Sequence, residues 1–180
     1  ALLLAGEEKF AAGQQKEALA LFESAFDYPE NHQVFLVDKR TPRDAQIYYV
    51  IGNAYERMGN RSKAMLNYKK AAAVNVKKTD YRYWQGLALE KLGKTAEAKA
   101  LFEALVTAGK AGIVEDYVNF YGAEGTTGKT VATINTKAFY TQGLGLLGLG
   151  NRDEARKCFA QSVELKPDNL WASVMLRELK

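Results

Sequence analysis

The 180-residue chain has one cysteine, Cys158, one histidine, His32, three prolines and a net charge of only +4. Each scarcity excludes something. A lone cysteine makes no internal disulfide, and one Cys with one His cannot supply the four N or S ligands of a structural zinc site. Apolar runs such as ALLLA at residues 1–5 fall far short of the roughly 20 residues that cross a bilayer, so no membrane span is expected. That opening lacks the basic flank and cleavage site of a secretory signal and runs directly into an amphipathic helical pattern, so it reads as part of the fold of a cytoplasmic protein. Lys and Arg are interspersed with Glu and Asp except at short pairs, Lys69-Lys70 and Lys77-Lys78, which read as solvated faces, and no nucleic acid is expected as a partner. At 47% hydrophobic and 26% charged, the composition is that of an ordinary globular chain with a sizeable core.

What the sequence has is a register of glycines. Seven residues after each of Gly6, Gly52, Gly86 and Gly143 stands a second glycine, as Gly13, Gly59, Gly93 and Gly150. Five further on is always alanine (Ala18, Ala64, Ala98, Ala155), and four beyond that an aromatic ring (Phe22, Tyr68, Phe102, Phe159). The next column is mostly small: Ala25, Ala71, Leu105 and Ser162. The first glycine and the alanine let two antiparallel helices approach closely, with the aromatic expected to fill the space between that pair and the next. The second glycine ends the first helix, being cheap in the left-handed conformation of a C-terminal cap. Helix formers with caps or early acids follow in GNRSKA, GKTAEA and GNRDEA, so each unit reads as helix, turn, helix.

Gly52 and Gly86 are 34 residues apart, the period of the tetratricopeptide repeat, and the chain resembles that family. Residues 49–74, with Tyr48 just before them, carry nearly the whole signature, with Tyr48, Ile51, Gly52, Tyr55, Gly59, Ala64, Tyr68 and Ala71 in order, and the last unit adds the closing Pro167. Units one and three depart from it, with Lys9 and Leu89 where tyrosine is usual and Arg82 and Gln85 replacing apolar residues. The other two spacings are longer by 12 and 23 residues, which predicts inserts at 31–44 and 113–135. The expected architecture is all-α: a single domain forming a right-handed superhelix of antiparallel helix pairs, with units at about 1–30, 45–78, 79–112 and 136–169 and a capping helix over 170–180.

The second insert contains GAEGTTGKT, residues 122–130, which resembles a phosphate-binding loop. That loop needs GxxxxGK[ST], and five residues before Gly128 stands Ala123, with Gly122 one position too early. A Gly/Thr connector is the expected reading, and nucleotide binding is not expected. Glu115 and Asp116 read as a solvated helix end, Cys158 as a structural thiol beside the packing ring Phe159, and His32 as a surface loop residue. No catalytic site, metal site or cofactor is expected.

The resemblance implies that the first helix of each pair lines a concave groove that takes a peptide or protein, and that two columns face it. Three residues before the first glycine stand Leu3, Tyr49, Tyr83 and Tyr140, and one after it Glu7, Asn53, Leu87 and Leu144. The expected groove residues are therefore Tyr49, Asn53, Tyr83, Leu87, Tyr140 and Leu144, unless the three tyrosines instead pack against neighbouring helices or an insert. A clamp for C-terminal carboxylates, used by some members, needs Lys and Asn in these columns; Asn53 fits and Tyr49 does not. A finer resemblance, carried by ALALFESAFDYPEN, RDAQIYYVIGNAYERMGN, YRYWQGLALEKLGKTAEAKALFEALV and YTQGLGLLGLGNRDEARKCFAQSVELKPD, is to the C-terminal repeat region of large bacterial proteins whose N-terminal domain is uncharacterised and suspected of acting on carbohydrate. It implies that this chain is a fragment of a longer protein whose enzyme activity would belong to the missing part. The expected function is a non-catalytic interaction scaffold for a protein or peptide, or for another domain of its parent chain, with homo-oligomerisation left open. The alternatives are a part of a carbohydrate-processing enzyme lacking its catalytic domain, or an enzyme with a site built from the inserts.

Overall fold

The computed structural model describes residues 1–27, 41–77, 79–116 and 130–179. Among them every regular element is a helix: α1 (Leu2–Ala11), α2 (Gln15–Ser24), α3 (Asp44–Arg57), α4 (Arg61–Ala73), α5 (Arg82–Lys91), α6 (Thr95–Ala111), α7 (Val131–Gly148), α8 (Arg152–Leu165) and α9 (Leu170–Glu178). They fall into two compact units, Ala1–Ala98 and Lys99–Lys180, with the boundary passing through α6.

The turns follow from the second glycine column. Gly13, Gly59, Gly93 and Gly150 have φ between +75° and +80°, the left-handed region where a side chain is strained. Around each, the glycine N–H donates to the carbonyl three residues back, and the next N–H to the one five back, as in Gly59 to Glu56 (2.9 Å) and Asn60 to Tyr55 (2.8 Å). This is the Schellman closure of a helix end. Asn60 then caps α4, its side chain accepting from the Lys63 N–H at 3.1 Å.

In the first unit α1 packs on α2, α3 on α4, and α5 against both α3 and α4. The first glycine column explains the close approach. A Cβ on Gly52 would lie 2.7 Å from the Tyr68 ring, and one on Gly6 would run into Phe22. Each ring therefore lies directly over the glycine of its own pair, nearly sealed from solvent, and Tyr68 also fills the space before the next pair, packing with Ala88 on α5 and Leu92 just beyond it. The end of α2 is tied to α3 by the Phe26 and Tyr48 rings, 4.7 Å apart, and by Arg43 Nη1 donating to the Ala25 carbonyl at 3.4 Å.

In the second unit α7 pairs with α8, and α9 covers α8. Gly143 sits under Phe159, repeating the first unit's device, since an added Cβ would lie 2.6 Å from the ring. A second device has no counterpart elsewhere among the described residues. On Gly145 a Cβ would lie 2.6 Å from the Phe102 carbonyl oxygen and 2.7 Å from the Val106 nitrogen, and on Gly109 it would lie 2.6 Å from the Gln142 nitrogen. Here α6 and α7 meet backbone to backbone. Both helices are long, and α7 begins at Val131, so residues 131–135, expected in the insert, are helical. The cause is Thr130, whose hydroxyl accepts from the Thr133 N–H at 3.1 Å in a capping box. Asn135 on that added turn then exchanges hydrogen bonds with the Val114 backbone, at 2.8 and 2.9 Å.

Candidate functional site

Burial divides the expected groove residues into two groups. In the first unit, Tyr49 and Asn53 on α3 and Leu87 on α5 are half-buried, whereas Tyr83 on α5 is buried, its ring edge-on to Trp84 at 4.4 Å. In the second unit Tyr140 and Leu144 on α7 are both buried, with Tyr140 tilted 6.0 Å from Phe159. Leu3 on α1 is buried as well. The column thus shares a helix face but not a depth.

Tyr49 lies 5.8 Å from the Tyr68 ring, and its phenol is pushed up to about 12 by burial first and by Glu56 and Glu90 second. It therefore stays a neutral donor at any ordinary pH. The Tyr68 hydroxyl donates to Glu56 Oε2 at 3.0 Å, and burial together with that bond pushes its own ionisation upward. Lys91 Nζ donates to the same oxygen at 2.5 Å; this bond, then the one from Tyr68, holds the Glu56 carboxyl below its ordinary value despite an opposing burial effect. One step along, Arg57 Nη1 donates to Glu7 Oε2 at 2.9 Å while its guanidinium lies 3.9 Å over the Phe10 ring. Successive first helices of this unit are therefore bridged by α1–α3 and α3–α5 ion pairs, and the charges on their shared face are matched within the chain.

The column reading named Glu7 but missed Glu56, Arg57 and Lys91. A signal was present: five positions after the first glycine stand Arg57 and Lys91, and Glu56 precedes Arg57. Following that column as well as the two nearer the glycine would have exposed the alternation of charge.

Among the described residues no group of three His, Cys, Asp or Glu is placed to hold a metal ion. Cys158 is buried, and burial pushes its thiol up, away from the nucleophilic thiolate. Glu115 and Asp116 are exposed. His32 and all of GAEGTTGKT except Thr130 lie outside the described residues, as do most of the two inserts. Among the described residues no helix is long and apolar enough to cross a membrane.

Two family models, both described as tetratricopeptide repeat, match this chain, one over residues 49–113 and the other over 136–169. No curated protein matches it. Among solved structures, the chain is similar to the first repeat domain of human RPAP3, at 22% identity over 77% of this chain and 91% of that one with a TM-score of 0.33. It is also similar to MamA (residue 41 to the end) from Desulfovibrio magneticus RS-1, at 18% identity over 99% and 81% of the two chains with a TM-score of 0.34. A third is YrrB, described as a TPR protein with an unusual peptide-binding site, at 18% identity over 96% and 71% with a TM-score of 0.33. The two segments matched by the family models make up more than half of the chain, which belongs to the tetratricopeptide-repeat family.

Proposed function

We propose that the chain is a non-catalytic scaffold that binds a peptide or protein segment, or another domain of its parent chain, along the first-helix face of its repeats. The observation that carries this reading is the set of half-buried residues on α3 and α5: Tyr49, Asn53 and Leu87 offer an aromatic face, an amide and an aliphatic surface without being spent on the core. Tyr83 on α5 and, in the second unit, Tyr140 and Leu144 on α7 are the buried members of the same columns.

The charges on this face narrow the partner. Arg57 and Lys91 are engaged by Glu7 and Glu56, so neither is free to receive a carboxylate. A segment anchored by apolar or aromatic side chains, with a backbone amide or carbonyl for Asn53, fits better than an acidic tail. Each anchor should contribute about 1 to 2 kcal/mol, as buried interface side chains do.

The test is a display selection of peptides on the chain, followed by calorimetry of the winning sequence against Asn53→Ala and Leu87→Ala. Loss of about tenfold or more in affinity from either variant, with helicity and melting preserved, supports the reading. Unchanged affinity in both variants refutes it.

A further inference from the structure

The second helices of the repeats differ in how they treat charge. On α6, Lys99 pairs with Glu103, and on α8, Lys157 pairs with Glu154 at 2.6 Å. On α2, Glu17 pairs with Lys9 of the preceding helix. Between Glu56 and Asp80 the chain holds Arg57, Arg61, Lys63, Lys69, Lys70, Lys77 and Lys78 and not one acid, and α4 lies wholly within that stretch. Among the described residues, Arg61, Lys63, Lys69 and Lys70 make no ion pair, and all four are exposed.

Helical geometry arranges three of them around an apolar seam. Lys63, Leu66, Lys70 and Ala73 follow one another at steps of three and four residues, as do Ser62, Leu66, Lys69 and Ala73, so all six share one face. Every one is exposed, and Leu66, at 53%, is the most exposed large apolar side chain among the described residues. The opposite face of α4 carries Ala64, Tyr68 and Ala71, which are buried in the core. Lys63 and Lys70 lean over the half-buried rings of Tyr55 and Tyr48, 5.1 and 5.5 Å from the centroids, contacts that orient the ammonium groups without neutralising them.

We infer that this outer face of α4 is a docking surface for an acidic polypeptide segment carrying an apolar side chain between its acids. Carboxylates of such a segment meet Lys69 on one side of the seam and Lys63 and Lys70 on the other, while its apolar residue covers Leu66 and Ala73. A nucleic acid matches the lysines but leaves Leu66 uncovered, and the rings beside the lysines are occupied by Lys63 and Lys70 instead of open to stacking bases. A membrane surface demands a broad apolar face to insert, and one leucine is too little. The surface is separate from the first-helix face, so the two fail independently.

The probe is a fluorescein-labelled peptide of five Glu-Glu-Leu repeats, titrated with the full 180-residue chain by anisotropy at low and high salt. Binding should weaken with salt and by about tenfold or more in Lys63→Gln/Lys69→Gln/Lys70→Gln. It should weaken several-fold in Leu66→Ser, or when serine replaces leucine in the peptide. Lys94→Gln/Lys99→Gln and Leu87→Ala should leave it unchanged. If the triple variant loses its helicity, the Leu66→Ser chain and the serine peptide decide the matter. The inference is overturned if the peptide does not bind, if the serine peptide and Leu66→Ser bind as well as their parents, or if duplex DNA or phosphatidylserine vesicles bind more tightly than the peptide.

Discussion

The second unit repeats the ring-on-glycine contact of the first, with Phe159 over Gly143, and adds a contact of another kind. In α3/α4 the contact is a ring on a glycine, Tyr68 over Gly52, and the ring's hydroxyl reaches on to Glu56, which Lys91 of α5 also holds. Between α6 and α7 the Phe102 ring lies against Gly148, but here the backbones also meet, with Gly145 against the Phe102 carbonyl and Val106 nitrogen and Gly109 against Gln142. A ring can tilt by a few tenths of an ångström when crowded, whereas a helical backbone moves only as a whole. The first arrangement is graded and coupled to a polar surface; the second is steric and nearly all-or-none.

The sharpest break in that comparison is Gly145→Ala. Its Cβ has no room, and the substitution should cost about 3 kcal/mol or more by denaturant unfolding. Gly52→Ala also crowds its neighbour, but the Tyr68 ring can yield, so a loss of about 1 to 3 kcal/mol is expected. Equal losses would mean that ring and backbone contacts are equally rigid. Ala64→Leu, at a fully buried site of the same pair, should fall in the Gly52→Ala range, and a neutral result would undo the assignment of the alanine column.

A smaller effect belongs to the start of α7. Thr130→Ala removes the capping box and should cost about 1 kcal/mol, with fraying of the turn that holds Asn135 visible as faster amide exchange at Thr133 and Ile134. Unaltered exchange would show that α7 starts without its cap.

The smallest effect is a pH dependence in the first unit. The Glu56 carboxyl is lowered in the folded chain, so its contribution is present above the ordinary carboxylate value of 4.5 and is lost as pH falls through the depressed folded value. Glu56→Gln should flatten the acid limb of the stability curve slightly and leave the neutral limb unchanged in shape. An acid limb identical to the parent's would mean that the Lys91 and Tyr68 bonds do not persist in solution. Tyr49 gives the opposite sign: its raised phenol favours the folded state below pH 10, and that contribution declines as pH climbs toward about 12.

Much of this fold was legible because its rules are local. A glycine at the end of a helix is required by φ, and Gly13, Gly59, Gly93 and Gly150 could be picked out by spacing alone. The close approach of paired helices followed from small residues recurring with the same period. What the period could not reveal were features occurring once. Gly145 and Gly109 stand outside the repeating columns, and they matter because of which helix lies opposite, a fact of tertiary packing. The early start of α7 depended on a threonine pair at the edge of a Gly/Thr-rich segment, where composition points to loop. The candidate site was legible in direction but not in depth. Tyr49 and Tyr83 hold the same place in successive repeats, and only their neighbours leave one half-open and bury the other.

The claim at the centre of this account is that the first-helix face of the Ala1–Ala98 unit is where a partner is read. The direct measurement is an amide chemical-shift map of the whole chain with a display-selected peptide. The account predicts the largest shifts at Tyr49 and Asn53 on α3 and at Leu87 on α5, weakened together in Leu87→Ala. Shifts that leave α3 and α5 untouched and gather on other helices would contradict it.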